Sequence, residues 1–512
     1  MLMGYQSSPI NGTIARDATG ADGNENTASH LTQAPEDQQN DRSEKVAPLA
    51  RGEGIDGMGN IGITENSFSE ESSSTASFMK QVKAAMAARL SSRSRRVNTT
   101  SFLNEPPPPW MDLRLSQHGQ PVAELFVLPP RRLADQMMEI YWNEVHVLYP
   151  LLIRDRFESV YHRVWTGEDD ESGQKLIFCT LNLIFAITCQ VTKREAPQEK
   201  ASAADIFYKR ASHLLQFNVI GGASLELIQS LLLMGQYLQS TEWPHRCWVV
   251  VGLANRIGQG LGLYLPQTTK GLPQQDRELA LRLWHGCVFM DRMVAMTLGR
   301  PPMIPKADAL AVPFPAAIDD PYLSTKVGQD QSQPQGEMSV VEFYVQSLKL
   351  YIINEETLSA LYKTDPSDAP TSATTKLSRL DLNTILRIDM AITDWYDSLP
   401  EQLKVRKHPA DDVSEPLFAR QGNILRLRCL QVQILLFRPV LVLLLAPEIR
   451  DRVTTSLLNP GAWIALEMGL VCVKKCILSA LEVIDIIHQR QLVQPSSIVE
   501  PLPAWWYEVF CK

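Results

Sequence analysis

Residues Glu278–Pro302 read ELALRLWHGCVFMDRMVAMTLGRPP. Leu279, Leu283, Cys287, Met290, Val294 and Leu298 recur every three or four positions, the period that lines one face of an α-helix. Gly299 can take the left-handed turn that ends such a helix, and Pro301-Pro302 cannot continue it. Asp291, Arg292 and Arg300 lie on or just beyond this helix. Charges placed beside an apolar face suit a buried or half-buried ion pair that fixes helix register, a structural role before a chemical one.

Working outward, the same period returns on both sides. Upstream, Leu133, Met137, Ile140, Tyr141, Val145 and Leu148 form an amphipathic helix stopped by Pro150, and Ile177, Leu181, Ile184, Thr188 and Val191 form another. Helices are also expected over Ile206–Phe217 and Leu225–Leu238, and from Pro244, whose missing N–H suits a first helical position, through Trp248, Val251, Asn255, Gly258 and Leu261. Downstream, Val341–Tyr362, Leu380–Leu399, Phe418–Phe437 and Ile464–Ile487 continue the series. Strand-like alternation is rare, so the fold class is all-α, a large multi-helix domain. Gly328–Gly336 and Asp365–Thr375 read as exposed connections.

The chain has 512 residues, 45% of them hydrophobic, with 49 Lys+Arg against 57 Asp+Glu and a net charge of -8. That composition excludes collagenous, disulfide-stapled and wholly disordered classes. An acidic balance argues against a surface that wraps nucleic acid, because phosphate affinity rests on clustered Lys and Arg. The eight cysteines, none before Cys179, show no two-residue pairing, which favours a reduced intracellular compartment. The N-terminus lacks the basic start and apolar core of a signal peptide. The longest apolar run, Val432–Pro447, is interrupted by Gln433, Arg438 and Pro439, so it reads as a buried core helix with a break rather than a membrane span.

Three regions differ in composition. Residues 1–79 carry 12 acidic and 4 basic side chains among Gly, Asn, Ser and Thr, a polar tail expected to be disordered. Residues 80–128 hold a basic segment and a proline-rich linker. Within it Arg89, Arg93, Arg95 and Arg96 suit nuclear import or a phosphate contact, or simply a solvated helix end whose cations favour the helix dipole. Residues 129–512 form the all-α body.

Motifs for chemistry return negatives. Gly258–Gly262 lacks the preceding strand of a dinucleotide-binding loop and reads as a helix end. Asp169-Asp170-Glu171 has no carboxylate on the next turn and reads as a solvated loop. Cys472 and Cys476 supply only half of a four-ligand zinc site, and His146 and His285 sit within apolar helices as core or rim residues.

The residues do carry a resemblance. Leu128–Asp135 (LPPRRLAD) with Tyr141–Pro150 (YWNEVHVLYP), Trp248–Leu263, Arg282-Leu-Trp284, Met290-Asp-Arg292, Leu298–Pro302 and Leu435–Pro439 (LLFRP) resemble, in order and spacing, the fungal-specific transcription factor domain. This is the regulatory region of fungal zinc-cluster transcription factors, and the similarity runs over roughly residues 75 to 512. It marks Asp291, Arg292, Gly299, Arg300, Pro301 and Arg438 as structural motif residues. It implies a nuclear transcription regulator, not an enzyme, that pairs with itself or with a zinc-cluster relative and responds to a small-molecule effector, with no membrane partner. Family members bind zinc through an N-terminal cysteine cluster, whereas no cysteine precedes Cys179 here. No cofactor is therefore expected in this chain, and DNA contact is expected to be indirect or weak. The amphipathic segment Trp505–Phe510 is followed only by Cys511-Lys512, which suggests a shortened C-terminus. Two rival readings stay open: an all-α enzyme acting on an apolar metabolite, marked by carboxylates or histidines of shifted pKa converging on one pocket, and a truncated product without function.

Overall fold

A computed structural model describes residues 78–79, 82–83, 125–167, 171–192, 197–216, 222–241, 243–362, 381–405, 416–445 and 460–493. The chain divides into two units, Met1–Gly52 and Glu53–Lys512, and every described residue belongs to the second. The acidic tail short of Phe78, the basic residues Arg89, Arg93, Arg95 and Arg96, residues 365–375 and the Trp505–Phe510 segment lie outside the described residues.

The regular elements among the described residues are all helices, with no strand. The elements are α1 (Arg131–Ile140), α2 (Arg154–Thr166), α3 (Glu171–Val191), α4 (Pro197–Gln216), α5 (Leu225–Gln239), α6 (Pro244–Gly260) and α7 (Gln274–Leu298). After a long connection come α8 (Glu342–Leu361), α9 (Leu382–Asp397), α10 (Pro416–Leu445) and α11 (Pro460–Val493). Neighbours in sequence pack as pairs, α3 with α4, α5 with α6 and α10 with α11; α7 packs against α5, α6 and α8, and α8 packs against α10.

Local chemistry sets the ends. The Ser224 hydroxyl accepts the N–H of Leu227 at 3.2 Å to start α5, Pro244 opens α6, and the Asp381 carboxylate accepts the N–H of Asn383 at 3.0 Å to start α9. α7 ends at Gly299 in the left-handed conformation (φ 70°), where a side chain would be strained. Two helices differ from the pattern read in sequence. α1 passes after Ile140 into a π-helical turn, Tyr141–His146, which buries Tyr141, Trp142 and Val145. A wider turn keeps these large side chains facing inward, something a 3.6-residue period does not anticipate. α10 runs unbroken through Pro439, correcting the expected break. Proline costs a helix about 3 kcal/mol, and the surrounding burial of Leu435, Leu436, Phe437 and Val440 outweighs it.

α7 is the axis of the body. Nearly all of Leu279–Thr297 is buried, so this helix is enclosed on every side, as a helix without a solvent face must be. Leu417–Leu445 is long and apolar enough to cross a membrane by length and composition, and 56% of its 18-residue apolar window is covered within the fold. It carries Arg428 at zero exposure, and that guanidinium is satisfied by protein groups.

Candidate functional site

The polar side chains of α7 fall on two tracks. Gln274, Glu278, Arg282 and His285, spaced four, four and three residues apart, share one face. Each bonds the connection that follows the helix. The Gln274 amide accepts the N–H groups of Ser324 (3.1 Å) and Gln331 (2.9 Å) and donates to the Gln331 carbonyl at 2.8 Å. Glu278 accepts the Ala316 N–H at 2.8 Å. Arg282 donates to the Ile318 carbonyl at 2.9 Å and to Asp320 at 2.6 Å, and His285 Nε2 donates to the Pro313 carbonyl at 2.9 Å. The track substitutes side chains for the hydrogen bonds that this irregular backbone cannot make with itself.

Asp320 is the far anchor. Besides Arg282 it accepts the first N–H of α2, from Arg154, at 2.9 Å, and His146 Nε2 stands 3.6 Å away. Burial alone would raise this carboxyl, but Arg282, His146 and the Arg154 N–H together hold it well below the usual carboxylate range. His285 shifts the other way for a base. Its burial lowers it from 6.5 to about 4, opposed only in part by the Pro313 and Val312 carbonyls, so the ring is neutral at pH 7.

The second track is the Asp291-Arg292 node. Asp291 accepts the N–H groups of Met303 and Ile304, both at 2.9 Å, and Arg292 at 2.8 Å. Arg292 also donates to the Ile304 carbonyl at 2.7 Å and, through Nη2 and Nε, to Glu355 of α8 at 2.7 and 3.1 Å. The node thus joins α7, the turn after Pro301-Pro302 and α8. Arg300 lies over the Trp248 ring of α6, 4.1 Å from its centroid, a cation–π contact.

α10 contributes two further arginines. Arg428 bonds Ser347 of α8 and the Tyr149 hydroxyl (2.8 Å) and lies among the Tyr149, Phe289 and Phe343 rings. Arg438 donates to Tyr362 at 2.9 Å, and Tyr362 donates to the Leu435 carbonyl at 2.6 Å. Its guanidinium also faces the Phe78 ring at 5.3 Å.

Asp291 and Arg292 meet in one node, while Arg300 and Arg438 each stand elsewhere, against aromatic rings. Sequence reasoning missed Glu355, Asp320, Arg282 as an ion-pair partner, and Arg428. The four-residue spacing of Gln274, Glu278 and Arg282 was the available signal for the first track. The carboxylates gathered here are bonded by backbone N–H and guanidinium groups, and the His285 ring by the Pro313 carbonyl.

The described cysteines stand apart from one another as buried thiols. Burial pushes the Cys179 and Cys247 thiols up to about 12 and Cys476 to about 11, and zinc binds thiolates. Among the described residues no cluster of three His, Cys, Asp or Glu side chains is placed to hold a metal. An open apolar groove of about 360 Å³ lies between the start of α1 and α4, lined by Leu128, Leu133, Met137, Ile206 and Phe207, with Arg210 at its edge.

Comparison with known proteins places this geometry. The pattern of the fungal specific transcription factor domain matches residues 138–397, which include both tracks of α7 and the connection they fasten. Sorbicillinoid biosynthetic cluster transcription factor 2 of Penicillium rubens is 27% identical over 85% of this chain and 60% of its own length. Cutinase transcription factor 1 alpha of Fusarium vanettenii is 27% identical over 54% of this chain and 28% of its own. Acetamidase regulatory protein of Aspergillus fumigatus is 26% identical over 63% and 37%. The chain spans between about a quarter and three-fifths of these curated relatives.

Proposed function

The chain belongs to the fungal specific transcription factor domain family, and on that premise we propose that it is a nuclear regulator of transcription that works through protein contacts of its helical body. The observation that carries this reading is the family match across 138–397, the segment in which α7 commits its charges to holding the fold. Relatives named as transcription factors and regulatory proteins agree with it. In this reading the body contacts a zinc-cluster relative or a second copy, and DNA is reached through that partner. An apolar effector would enter the groove beside Leu133 and Phe207. The runs of arginine at 93, 95 and 96 direct import.

Chromatin occupancy of the tagged chain, measured with and without co-expressed zinc-cluster relatives, tests the proposal. Occupancy that appears with a partner supports it, together with cytoplasmic retention when Arg93, Arg95 and Arg96 are all replaced by alanine. Diffuse cytoplasmic protein with no chromatin signal in either background overturns it.

A further inference from the structure

α11 turns one side to α10, and among the described residues none covers the other. Its inward side is fixed by Cys472, Cys476, Ser479 and Val483, all buried, by Ser479 bonding Gln433 at 3.2 Å, and by the two-pronged ion pair of Glu482 with Arg426. On the outward side Leu470, Val471, Ile477, Leu478, Leu481 and Ile484 are each 48–58% exposed. At 1.5 Å per residue, the stripe from Leu470 to Ile484 is about 21 Å long. Contiguous exposed apolar stripes of this kind mark protein contacts.

Two charges on the stripe decide what it fits. Lys474 and Asp485 are exposed, and neither makes a hydrogen bond or ion pair among the described residues. They lie eleven residues apart, about three helical turns, and so share one line along the helix. Leu478 and Leu481 lie midway between them. If a copy of this helix is laid antiparallel about a two-fold axis at the level of Ser479 and Ala480, each Lys474 meets the other chain's Asp485. Leu478 of each then meets Leu481 of the other. A parallel arrangement would instead set Lys474 against Lys474 and Asp485 against Asp485. The pattern is thus self-complementary in one orientation only, the property an isologous interface requires.

We propose that the outward face of α11 is an antiparallel homodimer surface, closed by two Lys474–Asp485 pairs around a Leu478 and Leu481 centre. It names one partner for the regulator proposed above, yet it is read on purified protein, so its failure is distinct from a failure of chromatin occupancy.

The test is sedimentation equilibrium of the purified full chain, with thermal melting as the control for folding. The wild type is expected to be dimeric at tens of micromolar. Lys474→Glu and Asp485→Lys each place like charges opposite one another and should weaken self-association at least tenfold. The double exchange, Lys474→Glu with Asp485→Lys, restores self-complementarity and should restore the dimer. Mixing the two single variants should give a heterodimer that neither forms alone. Leu481→Glu should be monomeric, with the wild-type melting temperature at low micromolar concentration, where the wild type is also monomeric. A monomeric wild type overturns the proposal, as does a dimer indifferent to these exchanges. A Leu481→Glu variant that melts much earlier than the wild type even in dilute solution also overturns it, because the chain itself would then be covering the face.

Discussion

α7 and α11 are both long and rich in apolar residues, yet they are used in opposite ways. α7 is enclosed, and its polar side chains are turned inward onto backbone and ion-pair partners. α11 is half-open, with its ion pairs on the inward side and its outward side largely apolar. Enclosure raises the stakes of every polar group, since an unmatched buried charge is costly whereas an exposed apolar side chain costs the monomer little. The contrast separates a helix that holds the body together from one that offers a surface.

The largest expected effect comes from breaking the enclosed side. Arg292→Ala leaves Asp291 and Glu355 without the guanidinium that joins them, and loss of one partner of a buried pair costs about 3–5 kcal/mol. Chemical denaturation should show a matching loss of stability. A melting temperature equal to the wild type would mean that the node does not carry the fold. The pH dependence of stability probes the same helix. Between pH 6.5 and about 4 His285 is protonated in the unfolded chain but neutral in the folded one, so the unfolded state binds more protons and stability falls as pH falls. At 1.36 kcal/mol per unit the loss reaches about 3 kcal/mol. Asp320 acts lower: its depressed carboxyl contributes stability above the unfolded value near 4 and loses it below. His285→Gln should therefore flatten the stability profile between pH 6.5 and 4 while leaving the steeper loss below pH 4. An unchanged profile would place the ring in contact with water.

The same contrast explains what the sequence disclosed. The helices of the body were legible because their apolar faces repeat, and the end of α7 was legible because Gly299 and two prolines punctuate it. Asp291 and Arg292 could be paired by eye because they are adjacent. Glu355 could not, since it arrives from α8, 63 residues later, and no local spacing encodes that encounter. Arg428 is harder still: its hydroxyl and ring neighbours come from the Tyr149 turn, α7 and α8. The π-helical turn at Tyr141–His146 and the passage of α10 through Pro439 were set by packing that overrides local preference. The outward stripe of α11 carries the same three- and four-residue period as a core face, so sequence alone does not distinguish a buried helix from an unpartnered one.

A smaller effect should come from Gly422, where α10 approaches the 3-10 turn Glu401–Leu403. A Cβ there would stand 2.8 Å from the Leu403 carbonyl oxygen, and backbone yields less readily than a flexible side chain. Overpacking of this kind costs about 1–3 kcal/mol, so Gly422→Ala should lower the denaturation midpoint by less than Arg292→Ala. A neutral result would show that the turn can retreat and that α10 is less firmly enclosed than α7.

The smallest effect is expected where the two helices differ most. Leu478→Glu puts a charge on the open stripe of α11, where the side chain is 53% exposed and the inward contacts of Cys476, Ser479 and Glu482 are undisturbed. Surface substitutions of this type change stability by no more than about 0.5 kcal/mol. Melting at low micromolar concentration, where a weak dimer has dissociated, should therefore match the wild type, and only at higher concentration should the wild type gain stability that the variant lacks. That concentration dependence follows from mass action, because a partner that binds only the folded chain raises its melting temperature as its own concentration rises. If Leu478→Glu instead destabilised the dilute protein as strongly as Gly422→Ala, the stripe would be an internal face, and α11 would belong with α7 among the helices that hold the body together.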